Sequence, residues 1–358
     1  MKQNAECSDA HSSDPGVVDC AVIGSGPAGL SAAVNLARWR RRVLVIDDRD
    51  ARSLWGQISR NYLGFPAGAP AAQIRLLGRE QAANYGARFL AGQVTFATSD
   101  IGRFQLLVSP CPPRPAEAAG REGNAAADLE RAAALGEERI SEPVEIFART
   151  LVIASGVRDQ FPRFSGWQQC VGVSLFWCIL CDGYETIGER VGVIGDDEEA
   201  IETALDLLEF THDVFVVAGN PRGFDVSGAR LADLSREGIR AYPCAVAQYR
   251  NRDGRISALV LDDPAHTVVP TKLVFAYRRP IARTEVARML GVDLNVIGQI
   301  IVDSEAHTNI AAVYAAGDVT DLHDHQISAA VHEGNAAAAA ANYYLYRPVQ
   351  RAPGAIAR

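Results

Sequence analysis

From Asp19 to Asp48 the chain reads DCAVIGSGPAGLSAAVNLARWRRRVLVIDD, and this stretch decides the fold. A short apolar run, DCAVI, enters Gly24-Ser25-Gly26-Pro27-Ala28-Gly29 and is followed by an amphipathic helical pattern, LSAAVNLARW. RVLVIDD comes next, an unbroken apolar run of the kind that is buried on both faces of a parallel sheet. Strand, glycine turn, helix and strand make a βαβ unit. In G-x-G-x-x-G the first glycine permits the tight turn and the second lets backbone approach a pyrophosphate. The third lets the helix pack on the strand, with phosphate at the helix N-terminus. Six residues alone are a weak signal. Here they lie between strand and helix, and Asp47 closes the second strand 18 residues after Gly29, where a ribose-binding acid belongs.

Outward from this unit the text is uneven. Residues 1 to 16 read as a disordered tail with no apolar core of a signal peptide. QVTFAT and RFQLLVS read as strands, and VEIFARTLVIASG resumes the sheet. Between them, Pro110 to Pro143 is rich in Ala, Glu, Arg, Pro and Gly and almost without large apolar residues. It reads as a surface insertion, with a transient helix near Asp128 to Leu135, because such text cannot offset the entropy of ordering. At Arg190 a second βαβ text begins: RVGVIG, DDEEAIETALDLLEFT, HDVFVVAG. GQIIVD and AAVYAAGD then read as strands, followed by a last helix from about Gln326 to Tyr346 and a frayed tail.

Length and composition agree with two α/β domains. The chain has 358 residues, 48% hydrophobic and 22% charged, and a formal net charge of -8. No Lys/Arg-rich run offers a surface for nucleic acid, and RWRRR (Arg38 to Arg42) reads as a solvated helix end. No apolar stretch approaches the roughly 18 residues of a membrane span. Seven cysteines, an odd number scattered over a long chain, do not read as a secreted disulfide framework, so a cytoplasmic protein is expected.

Two of those cysteines are three positions apart, in Trp177-Cys178-Ile179-Leu180-Cys181-Asp182. Half a zinc site is one reading, but no second CxxC or close Cys/His pair supplies the other ligands. A redox pair beside a dinucleotide fold is the other, with the Asp182 carboxylate placed to move the proton that thiol chemistry needs. Cys20, Cys170 and Cys244 read as packing.

With GSGPAG, WGQISRNYLGFP, LVIASG, WCILCDGYE and YAAGDVTDLHDHQISAAVHEG in this order, the chain resembles the low-molecular-weight thioredoxin reductase family of flavoproteins from Val18 to about Tyr346. The resemblance implies two Rossmann-like FAD/NAD(P)-binding three-layer domains joined by a two-stranded hinge, the FAD domain split in sequence. Residues 17–162 and 286–347 would form that domain, 163–285 the inserted CxxC-bearing one, and two chains a homodimer. Gly24 to Gly29 would hold the FAD pyrophosphate and Asp47 or Asp48 the adenosine ribose. Gly56, Gln57 and Asn61 would line the flavin, with the backbone near Val94 at the adenine. Gly317 and Asp318 would meet the ribityl chain or its phosphate. Gln326 and Ile327 would present backbone N–H groups to the flavin, with His325 at its edge among His323 to His325. Cys181 would lie nearest the flavin, Cys178 would exchange with substrate, and Asp182 would be the acid/base.

One motif departs from that pattern. The second turn reads Gly195-Asp196-Asp197-Glu198-Glu199-Ala200, and the strand after it ends Val217-Ala218-Gly219-Asn220, without the arginine cluster that marks NADPH-using members. Carboxylates there repel a pyrophosphate, by about 1 kcal/mol per pair at 4 Å in bulk water and about 4 at an effective dielectric of 20. Arg222 is the single nearby cation. NADPH is therefore a doubtful cofactor. A thioredoxin-like protein or a small dithiol or disulfide is the expected partner, with ferredoxin or O2 as further electron partners. The competing class is a flavoprotein that senses redox state without turnover.

Overall fold

In the computed structural model, residues 16–52, 58–100, 102–111, 136–276, 278–322, 325–346 and 350 are described. Gly56, Gln57, His323, Asp324, the expected helix near Asp128 and most of both tails lie outside them.

The glycine-turn unit forms as its sequence dictates: β1 (Val17–Ile23), α1 (Pro27–Arg38) and β2 (Val43–Asp47). Successive residues of β1 and β2 serve opposite faces, as a pleated strand requires. Cys20, Val22, Val43 and Val45 enter one apolar cluster, and Ala21, Ile23, Leu44 and Ile46 the other. Burial on both faces is why the run is unbroken. After a small ladder of β3 (Ile58–Ser59) and β4 (Ala69–Pro70) come α2 (Ala71–Asn84), β5 (Arg88–Ala91), β6 (Gln93–Asp100), β7 (Arg103–Ser109), β8 (Glu138–Arg139) and β9 (Val144–Ile153). The chain then leaves through β10 (Val157–Arg158).

A second unit follows, with α3 (Trp167–Cys170), β11 (Leu175–Phe176), α4 (Ile179–Asp182), β12 (Val191–Ile194), α5 (Glu198–Asp206), β13 (Val214–Val217), α6 (Gly228–Arg236) and β14 (Arg240–Tyr242). An antiparallel three-stranded sheet, β15 (Val246–Arg252), β16 (Arg255–Leu261) and β17 (Val268–Pro270), precedes β18 (Leu273–Ala276). The chain returns through β19 (Ile281–Ala282) to α7 (Glu285–Met289), β20 (Val313–Ala315) and α8 (Ile327–Tyr344).

The first sheet has the order β6-β7-β9-β1-β2-β5-β8, with β20 also beside β9. It takes strands from both sides of the second sheet, whose order is β11-β18-β12-β13-β14, all parallel. The fold is thus α/β with two Rossmann-type sheets, the first assembled from two separate parts of the chain. β10 and β19 pair with each other as the two-stranded link between them.

Three expectations need correction. GQIIVD is not a strand: only Ile300 forms isolated bridges, to Leu294 and Thr320. RWRRR is not wholly solvated, because Arg41 is buried, bonding Asn342 Oδ1 at 2.7 Å and lying over the Tyr346 ring. The insertion is not surface text throughout. Its last residues form β8 in parallel register on β5, and Ile140 packs against the core.

The alanine-rich text of α8 also gains a reason. α8 crosses α1 so closely that a Cβ on Gly334 would meet the Ala28 carbonyl oxygen at 2.1 Å. Small residues allow the helices to approach, and the approach brings the N-terminus of α8 to the glycine turn.

Candidate active site

The glycine turn lines a cavity of about 880 Å³ that extends to Cys178, Cys181 and Asp182. That volume lies within the roughly 300–1,000 Å³ usual for small-molecule sites. Gly24 has φ +106° and leaves no room behind it, since a Cβ there would meet Ala154 O at 2.3 Å. Gly26 is the opposite case, with nothing within 4 Å of the Cβ it lacks. α1 has Pro27 at its start, no side-chain cap and no acid in its first turn. Its first N–H groups therefore remain available to an anion. Asp47, 4% exposed, accepts the Ser25 N–H at 3.3 Å and is ion-paired with Arg75. Burial alone raises its pKa, but Arg75, Arg79 and the Ser25 bonds outweigh it and hold the carboxylate below its ordinary range. An open glycine, an uncapped helix and an ionised acid at the second strand fit the pyrophosphate and ribose of a dinucleotide.

Of the residues expected at this site, Gly24 to Ala28, Asp47, Asp48, Asn61, Val94, Gly317, Asp318, His325, Gln326 and Ile327 all line the cavity. Gly29 does not, because it packs against the Gly24 carbonyl. Asp47 and Asp48 part company: Asp47 faces the glycine turn, whereas Asp48 is ion-paired with Arg283, just after β19. Asp318 takes Arg52 Nη1 at 2.8 Å, and Arg52 also forks onto Asp159.

Cys178 and Cys181 are joined as a disulfide, with Cα atoms 5.3 Å apart at the start of α4. Gln326, expected to act through its backbone, sets its side chain on the pair: Nε2 lies 3.6 Å from each sulfur. Its Oε1 accepts Asn61 Nδ2 at 2.8 Å, which fixes the amide orientation so that the N–H group faces sulfur. Asp182 is 6% exposed, and burial pushes its carboxyl up to about 7, opposed by Arg60 and assisted by Glu185. A disulfide, an amide donor on its sulfurs and a buried carboxyl with a raised pKa are what dithiol–disulfide exchange would need.

Glu333, unremarked within an alanine tract, is buried on α8 and accepts Gly317 N–H at 2.7 Å and Thr320 Oγ1 at 2.9 Å. Glu333→Ala would leave the buried Gly317 N–H unpaired, costing about 1–3 kcal/mol, whereas Thr320 Oγ1 keeps the Gly317 carbonyl oxygen as an acceptor at 3.0 Å. The expected result is a lower urea midpoint of the apo-protein with weakened FAD retention, read by unfolding curves and flavin absorbance.

The sequence profile of the pyridine nucleotide-disulphide oxidoreductases matches residues 18–337, most of the chain. The chain belongs to that family. Thioredoxin reductase from Aquifex aeolicus is 26% identical, with 92% of this chain and 94% of that protein covered. One component of alkyl hydroperoxide reductase from Pseudomonas aeruginosa is 27% identical over 92% of this chain and 58% of its own length. The crystal structure of HlmI superposes with a TM-score of 0.76 at 25% identity, covering 94% of each chain. The protein is an FAD-dependent oxidoreductase acting on disulfides. Among the described residues no helix is long and apolar enough to cross a membrane.

The second turn of this family member is built unlike the first. Asp197 caps α5, its carboxylate accepting Ala200 N–H at 3.1 Å, and Glu198 and Glu199 occupy the first helical turn. Asp196 is bonded to Asn220, Glu198 to Arg230 and Glu199 to Arg279. At the start of α5 the Ala200 N–H is thus taken by a side chain of the chain itself, and acids occupy the first turn. Arg222 is exposed, its backbone N–H bonded to Asn220 Oδ1 at 2.7 Å.

Proposed function

We propose that this protein shuttles electrons between FAD, the Cys178–Cys181 pair and a protein or small-molecule dithiol/disulfide partner, and that NADPH is a poor electron donor at its second turn. The carrying observation is the contrast between the two helix starts. α1 is uncapped and free of acids, whereas α5 is capped by Asp197 and preceded by Asp196.

Bound FAD would supply two-electron transfer to or from the disulfide. Gly24 to Ala28 and the start of α1 would hold its pyrophosphate, and Asp47 its adenosyl ribose. Asp318, fixed by Arg52, would meet the ribityl side. Gln326 would hold the sulfurs in place and donate to the thiolate formed when the pair is reduced. Asp182 would protonate that thiolate or, in the reverse direction, remove its proton.

Anaerobic titration of the bound flavin tests the proposal. A small dithiol is expected to bleach it and micromolar NADPH to leave it yellow. Rapid bleaching by NADPH would overturn the donor assignment while leaving the disulfide chemistry intact. Return of the yellow colour with O2 would mark an oxidase, and reduction by ferredoxin a thioredoxin-type reductase. The retained Asp182 favours a protein dithiol/disulfide partner.

A further inference from the structure

Where β2 ends, five charged side chains are gathered: Asp47, Arg49, Arg75, Arg79 and Glu137. Four lie in or beside the glycine-turn unit and α2. Glu137 comes from the end of the insertion, yet its side chain is only 1% exposed. Its Oε1 accepts Arg79 Nη2 at 2.5 Å, and its Oε2 pairs with Arg49. Arg79 in turn donates from Nη1 to Ser25 Oγ at 3.1 Å and stands 3.8 Å from Asp47 Oδ2. Its guanidinium lies over the Phe89 ring, and its Nε is buried with no partner. Arg79 is itself 3% exposed.

Glu137 is held there by the fold. β8 extends the sheet on β5, pairing Leu90 with Glu138 and Ala91 with Arg139. Ile140 packs into the core beside Gly92, a cavity-lining residue. β8 thus runs alongside the C-terminal end of β5, at the edge where parallel α/β sheets bind their ligands.

The charges explain why a second carboxylate is needed. Without Glu137 the buried Arg79 would be left to share Asp47, 3.8 Å away, with Arg75. A buried cation does not remain unpaired. Arg79 would turn towards Asp47 or withdraw, and either movement disturbs Ser25 and the acid that face the cofactor. Its ionisation is already weakened, lowered to about 10 by burial and by Arg75 and Arg49.

We infer that Glu137 is a positioning residue for the adenosine half of FAD: it neutralises Arg79 and Arg49, so that Asp47 and Ser25 keep the geometry a ribose diol and pyrophosphate require. The inference rests on placing the adenosyl ribose at Asp47 and on nothing about the electron donor. Nothing in the text around Glu137 foretells it, since its partners lie up to 88 residues away in sequence.

The test measures FAD and FMN affinity of the full-length apo-protein by flavin fluorescence. FMN lacks the adenylate half, so it reports the rest of the site. Glu137→Gln is expected to weaken FAD about ten- to hundredfold, the usual size for losing a group that orients a direct ligand, and to leave FMN unchanged. Arg79→Lys keeps the charge but loses the fork that joins Glu137 to Ser25, and should show the same FAD-selective loss. Equal weakening of both flavins would mean a general folding role and would overturn the inference, as would unchanged FAD binding. Asp47→Asn separates the two premises. FAD loss there without loss in Glu137→Gln sinks the role of Glu137 alone, and no loss in either sinks the ribose placement with it.

Discussion

Cys181→Ser is expected to lose dithiol–disulfide turnover down to the uncatalysed level while keeping its yellow FAD. A hydroxyl cannot form the sulfur–sulfur bond in which the pair stores two electrons, so neither direction of exchange can complete. The flavin should stay because its proposed cradle is made elsewhere, by Gly24 to Ala28, Asp47 and Asp318. Gln326 Nε2 still has Cys178 within 3.6 Å, so that side of the site keeps a partner. Cys178→Ser should be equally inactive. The two variants differ in what accumulates: a lone Cys178 thiol is expected to trap substrate as a mixed disulfide, and a lone Cys181 is not. Steady-state turnover with a dithiol, flavin absorbance per chain and intact mass read these outcomes. Surviving turnover in Cys181→Ser would mean that electrons leave the flavin by another route.

The parts of this molecule that were legible in its sequence are the local ones. The turn Gly24 to Gly29 was legible because strand, turn and helix are contiguous, and each glycine has a reason within a few residues. The second turn was legible for the same reason: Asp197 caps the helix that it precedes. Long-range placements were hidden. Arg75 and Arg79, one turn apart on α2, look in sequence like a solvated face, and only the fold turns them onto Ser25 and Asp47. Glu137 follows text without apolar periodicity, and its burial depends on a two-residue strand too short to leave a pattern. Gln326 was found for its backbone, but its side chain reaches the disulfide only because α8 is drawn up to α1 through Gly334. GQIIVD misled because an apolar run that bridges at Ile300 alone looks the same as a strand.

Asp182→Asn separates a catalytic carboxyl from a structural one, because activity and stability should respond with opposite signs. The carboxyl is buried beside the disulfide and pushed up to about 7, with Arg60 pulling it down and Glu185 pushing it up. Arg60 is itself occupied by Glu185 at 3.1 Å, so it offsets the burial only in part. Near neutral pH the group therefore exists in both forms. The neutral acid can protonate a departing thiolate, and the carboxylate can take the proton of an attacking thiol. Reduction of a substrate disulfide by the enzyme dithiol should rise as pH passes through about 7. In Asp182→Asn that inflection should vanish, with the rate lower by about 10²–10⁴-fold. Stability runs the other way. A carboxyl whose pKa is higher in the folded chain than in the unfolded one stabilises the fold when protonated. That contribution is complete below the ordinary carboxylate range and is lost as pH rises through about 7, a change of at most about 4 kcal/mol. An asparagine carries no such charge, so the variant should gain thermal stability over the wild type as pH is raised from 5 to 8. A variant that is slow and also progressively less stable at high pH would show that the carboxylate is held by partners, and would remove Asp182 from the proton-transfer role.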